Sequence, residues 1–168
     1  MKSWAFALVG LLLLASAATA EDNILKNGSF NKGRMNWDMG PGMRVIDIPD
    51  GVGPSNKVLE VELDKNKIRV LSVKLDTKSK TKALVIAFRI KPQPGYVSTM
   101  PEGHQLTVRM HRPGGSTFSS RAMESTGGWQ DVKWNFADLK NARDFTFSIE
   151  IHPGAGTVLL DDVVIQEL

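Results

Sequence analysis

The chain of 168 residues contains no cysteine. A disulfide framework is therefore excluded, and so is a lipid anchor carried on a cysteine. Aromatic residues make up only 7%, with four Trp and one Tyr, so a site that stacks ligand on aromatic rings has few candidates. Excess charge is scarce too: the formal net charge is +3, and Lys78-Ser79-Lys80-Thr81-Lys82 is the one basic cluster. That is too little for the electrostatic footprint of a nucleic-acid binder; the cluster reads as a solvated turn, and no nucleic-acid partner is expected. Sustained helical spacing is absent beyond a single turn at 136–141. The longest apolar run, at 4–14, is short for a membrane span.

That run sits in an export signal. Lys2 is a short basic region, residues 4–14 are the apolar stretch, and Ala18-Thr19-Ala20 fits a small-x-small cleavage site. The protein is expected to be exported to the periplasm or beyond the cell, with no membrane attachment after cleavage. Residues 21–168 then form the mature chain, 148 residues, long enough for one domain with its own core. It carries 20 Lys and Arg against 18 Asp and Glu. A monomer is expected. With no disulfides, stability has to come from the core, from a bound metal ion, or from both.

Period-2 patterning dominates the mature chain. Strands are expected at 43–48, 57–63, 67–75, 83–90, 105–111, 118–124, 129–136, 145–152 and 157–168. A phase slip near Val70-Leu71 suggests a bulge. Residues 83–90 are apolar on both faces and read as a buried strand. In 129–136, Val132, Trp134 and Phe136 share the inward face. Gly- and Pro-containing turns separate the strands, and about ten short strands at this spacing imply an all-β antiparallel sandwich or barrel. Two longer loops, 40–56 and 91–103, are places where function is often carried.

The last strand holds an anomaly. Asp161 and Asp162 interrupt the apolar run from Val158 to Ile165. Adjacent strand residues point to opposite faces, so one carboxylate is solvated and the other is turned inward, where it needs a partner.

Four motifs in order carry a resemblance: Asn27-Gly28-Ser29-Phe30, then Trp37, then Gly128-Trp129-Gln130, and Leu160-Asp161-Asp162-Val163 at the end. Together with the strand pattern, they resemble the jelly-roll carbohydrate-binding modules of the four/nine type, within the galactose-binding-like sandwiches. The resemblance covers residues 23–168 and implies a jelly-roll β-sandwich. It also implies a structural calcium tying the first strand to the last, with oxygen ligands at Asn31 and Asp161 and from backbone carbonyls. The family commonly has Glu where this chain has Asn31, which removes a negative charge from the site. The alternative is that Asp161 is satisfied by hydrogen bonds without a metal.

Carbohydrate binding needs flat aromatic faces and planar polar side chains. Trp37, in a Gly- and Met-rich stretch, and Tyr96, at the tip of the 91–103 loop, are the candidate platforms. Trp134 reads as core, and Trp129 as rim or packing. The outward residues of three strands supply the polar candidates Arg89, Gln105, Arg109 and Glu150, provided those strands share one sheet; two Arg would also suit an acidic sugar. Any half-exposed strand also shows polar residues outward, so this face has a purely structural reading as well. The three His do not make a metal motif. No nucleophile elbow or phosphate loop is present, and the acids do not form an evident glycosidase pair. The expected function is secreted, non-catalytic binding of polysaccharide through a sheet face or loop rim. The alternatives are a structural or adhesion module of the same fold and, behind it, a small glycan-cleaving enzyme.

Overall fold

The computed structural model describes residues 23–48, 57–76, 83–112, 114–124, 127–137 and 145–168. The export signal, the basic cluster at 78–82 and most of the turn at 136–141 lie outside the described residues. Among the described residues there are twelve strands and no helix. They are β1 (Asp38–Met39), β2 (Met43–Asp47), β3 (Lys57–Glu62), β4 (Arg69–Leu75), β5 (Leu84–Pro92), β6 (Val97–Ser98), β7 (Leu106–Arg112), β8 (Gly115–Arg121), β9 (Gln130–Phe136), β10 (Phe145–Ile151), β11 (Gly154–Ala155) and β12 (Thr157–Glu167).

The strands make two five-stranded antiparallel sheets. The first sheet has the order β1-β4-β10-β7-β8 and the second β2-β3-β12-β5-β9; β11 and β6 form a separate ribbon. The chain has a jelly-roll β-sandwich fold. Alternation explains the layering, since each strand presents every second residue to the interior. Phe147 and Ile149 of β10, Leu71 and Val73 of β4, and Ile86 and Phe88 of β5 are all buried in one core. Full burial of a side chain such as Phe147 stabilises the fold by about 2–3 kcal/mol.

Two irregularities differ from the expected pattern. Pairing of β4 with β10 runs unbroken from Leu75 to Arg69, so no bulge lies at Val70-Leu71. The apparent slip is Val70 standing on the outer face, 41% exposed. The bulge is in β12 instead. Asp161 pairs with Arg89, but Val164 pairs with Ala87, so β12 carries one extra residue there. Asp162 absorbs it with φ 51°, a left-handed conformation that Asp tolerates better than most residues.

The bulge marks a change of neighbour. The first part of β12, Thr157 to Leu160, pairs with β3. Beyond it the N-terminal segment takes over: Asn23 bridges to Gln166, the Ile24 amide donates to the Ile165 carbonyl, and the Val163 amide donates to the Gly28 carbonyl at 3.0 Å. Gly28 is required at this crossing, because a Cβ there would stand 1.9 Å from the Val163 carbonyl oxygen. Leu25 and Phe30 anchor the segment in the core.

Candidate functional site

The outer face of the first sheet is built from side chains that alternate with the core. Two cross-strand rows define it. One is Ser72, Ser148, Arg109 and Phe118; the next is Lys74, Thr146, His111 and Ser116. Glu150 and Thr107 continue the face toward the other end of the strands, where they pair with each other across β10 and β7.

Arg109 and Glu150 form the centre. The Arg109 Nε donates to Glu150 Oε1 at 2.6 Å and an Nη donates to Oε2 at 3.0 Å. This two-point pairing fixes the guanidinium plane, and each such bond to a charged group contributes about 1.5–3 kcal/mol where it is shielded from water. The Glu150 hydrogen bond is the main reason the Arg109 guanidinium sits above its usual range. Its carbon lies 5.0 Å from the centroid of Phe118, which is 61% exposed. A guanidinium locked by a carboxylate and laid on a phenyl ring makes a flat surface, apolar in its faces and polar at its edge.

Beside it runs a hydroxyl chain. Thr107 Oγ1 lies 2.7 Å from Ser120 Oγ and 2.9 Å from His152 Nε2. Burial holds the His152 imidazole below its ordinary pKa, which favours the neutral ring.

Several expected site residues lie elsewhere. Trp37 is 6% exposed, its ring tilted against Phe30 at 5.6 Å between centroids, and its Nε1 donates to the Asn27 carbonyl. Tyr96 is 9% exposed; its amide closes a turn onto the Gln93 carbonyl, and burial raises its phenol above the usual range. Both rings are packed into the sandwich, so neither offers a face to a ligand. Gln105 is buried as well, and both ends of its amide hold the adjoining loop: Nε2 donates to the Pro101 carbonyl and Oε1 accepts from the Gly103 amide.

Arg89 is separated from Arg109 altogether. It lies on β5 of the second sheet, 3.6 Å from Asp131, 3.4 Å from Asp162 and stacked 5.4 Å from the Trp129 centroid. The three strands that carry the polar candidates therefore divide between the sheets, because β5 pairs with β12 and β9 while β7 and β10 pair with each other. Phe118, absent from the expected set, takes the place that Trp37 and Tyr96 leave.

The calcium ligands implied by the resemblance can be tested on these residues. Asp161 is 2% exposed, and its Oδ1 is buried without a hydrogen-bond partner. Desolvation pushes its carboxyl up to about 7, partly opposed by a hydrogen bond from the Asp162 backbone. Such an orphaned oxygen, at the junction of β12 with the N-terminal segment, fits a ligand to a hard cation. Asn31 does not fit in the same way: it is exposed, and its amide donates to Ser29 Oγ at 3.1 Å. Among the described residues, no group of three His, Cys, Asp or Glu converges on one point. Asp161 and backbone carbonyls would thus have to hold an ion with little help from other charged side chains.

No protein-family model matches the chain, and no curated protein matches it. Solved structures do. A module described as TmCBM61 in complex with β-1,4-galactotriose has a TM-score of 0.63 and 14% identity, covering 87% of this chain and 99% of its own. The CBM22-1 xylan-binding domain from Paenibacillus barcinonensis Xyn10C has a TM-score of 0.59 and 14% identity, covering 87% of this chain and 94% of its own. The enzymatically active domain of bacteriophage CBA120 tailspike protein 4 has a TM-score of 0.67 and 8% identity; 88% of this chain is covered, and the chain spans 22% of that protein. The sandwich is thus the fold of jelly-roll carbohydrate-binding modules. At these identities the likeness is one of fold.

Proposed function

We propose that the protein is an exported, non-catalytic module that binds polysaccharide across the outer face of the first sheet. The observation that carries this reading is the Phe118–Arg109–Glu150 surface. An exposed aromatic ring continued by a pinned guanidinium–carboxylate pair offers both stacking and paired hydrogen bonds, the two contacts a pyranose ring takes. The Ser72 hydroxyl extends this row and that of Thr146 stands in the next, while the Ser148 hydroxyl is buried and donates to Glu150 Oε1. Similar structures described as carbohydrate-binding modules support the reading, one of them a complex with a galactotriose. The absence of catalysis is supported by Glu150, whose two oxygens both accept from Arg109. Residues 1–20 act as the cleaved signal and 21–168 as one domain. A calcium ion at Asp161 would serve stability, away from the glycan face.

Burial of Trp37 and Tyr96 favours a second reading, a structural or adhesion module that binds protein through a flat polar face. An array of soluble and insoluble polysaccharides decides between them. The expected result is binding to one glycan class, weakened about tenfold in Phe118→Ala with an unchanged melting temperature, because the ring is mostly in solvent. A folded protein that binds no glycan on the array overturns the first reading and leaves the second.

A further inference from the structure

Glu150 neutralises Arg109, so the centre of the face presents no net positive charge. The cationic end lies one row away. Lys74, Thr146 and His111 stand side by side on β4, β10 and β7. With Arg112, Asp76 and Phe145 they line a cleft of about 550 Å³. That volume lies within the roughly 300–1,000 Å³ of small-molecule sites. Lys74 is exposed and makes no ion pair or hydrogen bond through its ammonium group among the described residues. The His111 ring is held by Ser116, with Nδ1 and Oγ 2.7 Å apart. Phe145 is buried and forms an apolar floor. Among the described residues Asp76 is the one carboxylate in the lining, which also holds the two cationic side chains Lys74 and Arg112.

The Lys74 ammonium, the His111 imidazole and the Thr146 hydroxyl around one cleft, with the Arg112 guanidinium in its wall, make a receptor for an oxyanion. Thr146 and His111 are two residues along their strands from Ser148 and Arg109, so the cleft begins about 7 Å from the Arg109–Phe118 platform. One chain can touch both. We propose that this cleft takes the carboxylate or sulfate group of an acidic sugar, and that the polysaccharide bound on the face is anionic. The inference rests on the reading of that face as a glycan platform.

The test compares the purified protein on polygalacturonate and dextran sulfate with neutral galactan and dextran, and with polyglutamate as an anionic polymer without sugar. Lys74→Ala, Lys74→Arg and Phe118→Ala are measured alongside. The expected result is binding to one anionic glycan at least about tenfold tighter than to its neutral counterpart or to polyglutamate. Preference for polygalacturonate identifies a carboxylate and preference for dextran sulfate a sulfate. Lys74→Ala should lose about fivefold on that glycan, and Lys74→Arg should keep most of the affinity. Equal binding of neutral glycans, sensitive to Phe118→Ala but not to Lys74→Ala, overturns the acidic inference and leaves the platform intact. Equal binding to polyglutamate overturns it as attraction by net charge alone. An anionic preference that survives Lys74→Ala overturns the cleft as its source. Binding to none of the glycans overturns both readings.

Discussion

Replacing Asp161 by Asn should change the stability of the protein in opposite directions with and without calcium. Burial raises the Asp161 carboxyl from 3.8 to about 7. The native state therefore binds a proton that the unfolded chain releases between these values. Stability from this group is present at low pH and is lost as pH rises through the window from 3.8 to about 7. A rise of that size corresponds to about 4 kcal/mol at pH 8, an upper figure because relaxation around a buried charge reduces it. Asn keeps the shape and removes the charge. In chelator at pH 8, urea unfolding should find Asp161→Asn more stable than the wild type by up to about 4 kcal/mol, with the gap closing toward pH 4. With millimolar calcium the order should reverse, because the wild-type carboxylate gains an ion that Asn cannot hold as tightly. The difference between the two proteins isolates Asp161 from His152, whose lowered pKa makes protonation of its ring destabilising as pH falls below 6.5. An Asp161→Asn variant that is less stable than the wild type by the same amount at pH 5 and pH 8, with or without calcium, would refute the reasoning. It would show that the buried carboxylate is already satisfied.

Two further outcomes follow from close contacts. Gly28→Ala should cost about 3 kcal/mol or more in chemical unfolding, because its Cβ meets the Val163 carbonyl and the N-terminal segment must leave β12; a loss near that of an ordinary loop Gly→Ala change would contradict the crossing. Glu150→Gln should cost about 1–3 kcal/mol by removing the charged partner of Arg109, and should weaken glycan binding even though it keeps the size of the side chain; unchanged binding would show that the guanidinium plane need not be fixed.

The strand pattern was legible in the sequence because alternation survives wherever one face is core. Strands expected at 43–48, 57–63, 105–111 and 145–152 match β2, β3, β7 and β10 within a residue at each end. Pairing across the sandwich was not legible in the same way. Arg89 and Arg109 carry the same local pattern, an outward Arg in a strand, and only the sheet order separates them. Aromatic scarcity also misled: Trp37 sits in a Gly-rich polar stretch and Tyr96 at the Pro94-Gly95 tip of a long loop, yet both rings fold back into the core, since burying a large apolar ring outweighs the polarity of its neighbours. Phe118 was hidden by the opposite situation. β8 is an edge strand with polar residues on both faces, so its alternation is weak. The hairpin turn before it held the signal: pairing of Arg112 with Gly115 sets Phe118 opposite Arg109. The bulge at Asp162 had no marker either, because it uses Asp rather than Gly in the left-handed conformation.

The most direct test of the central claim is the location of bound glycan by backbone amide chemical-shift changes. Titration with an oligosaccharide of the class selected on the array should shift amides of Thr107 to His111, Ser116 to Ser120 and Thr146 to Glu150. Those of Val85 to Lys91 and Asp131 to Asn135, on the second sheet, should stay in place. Shifts concentrated on the second sheet around Arg89 and Trp129, with the Phe118 region unmoved, would contradict it.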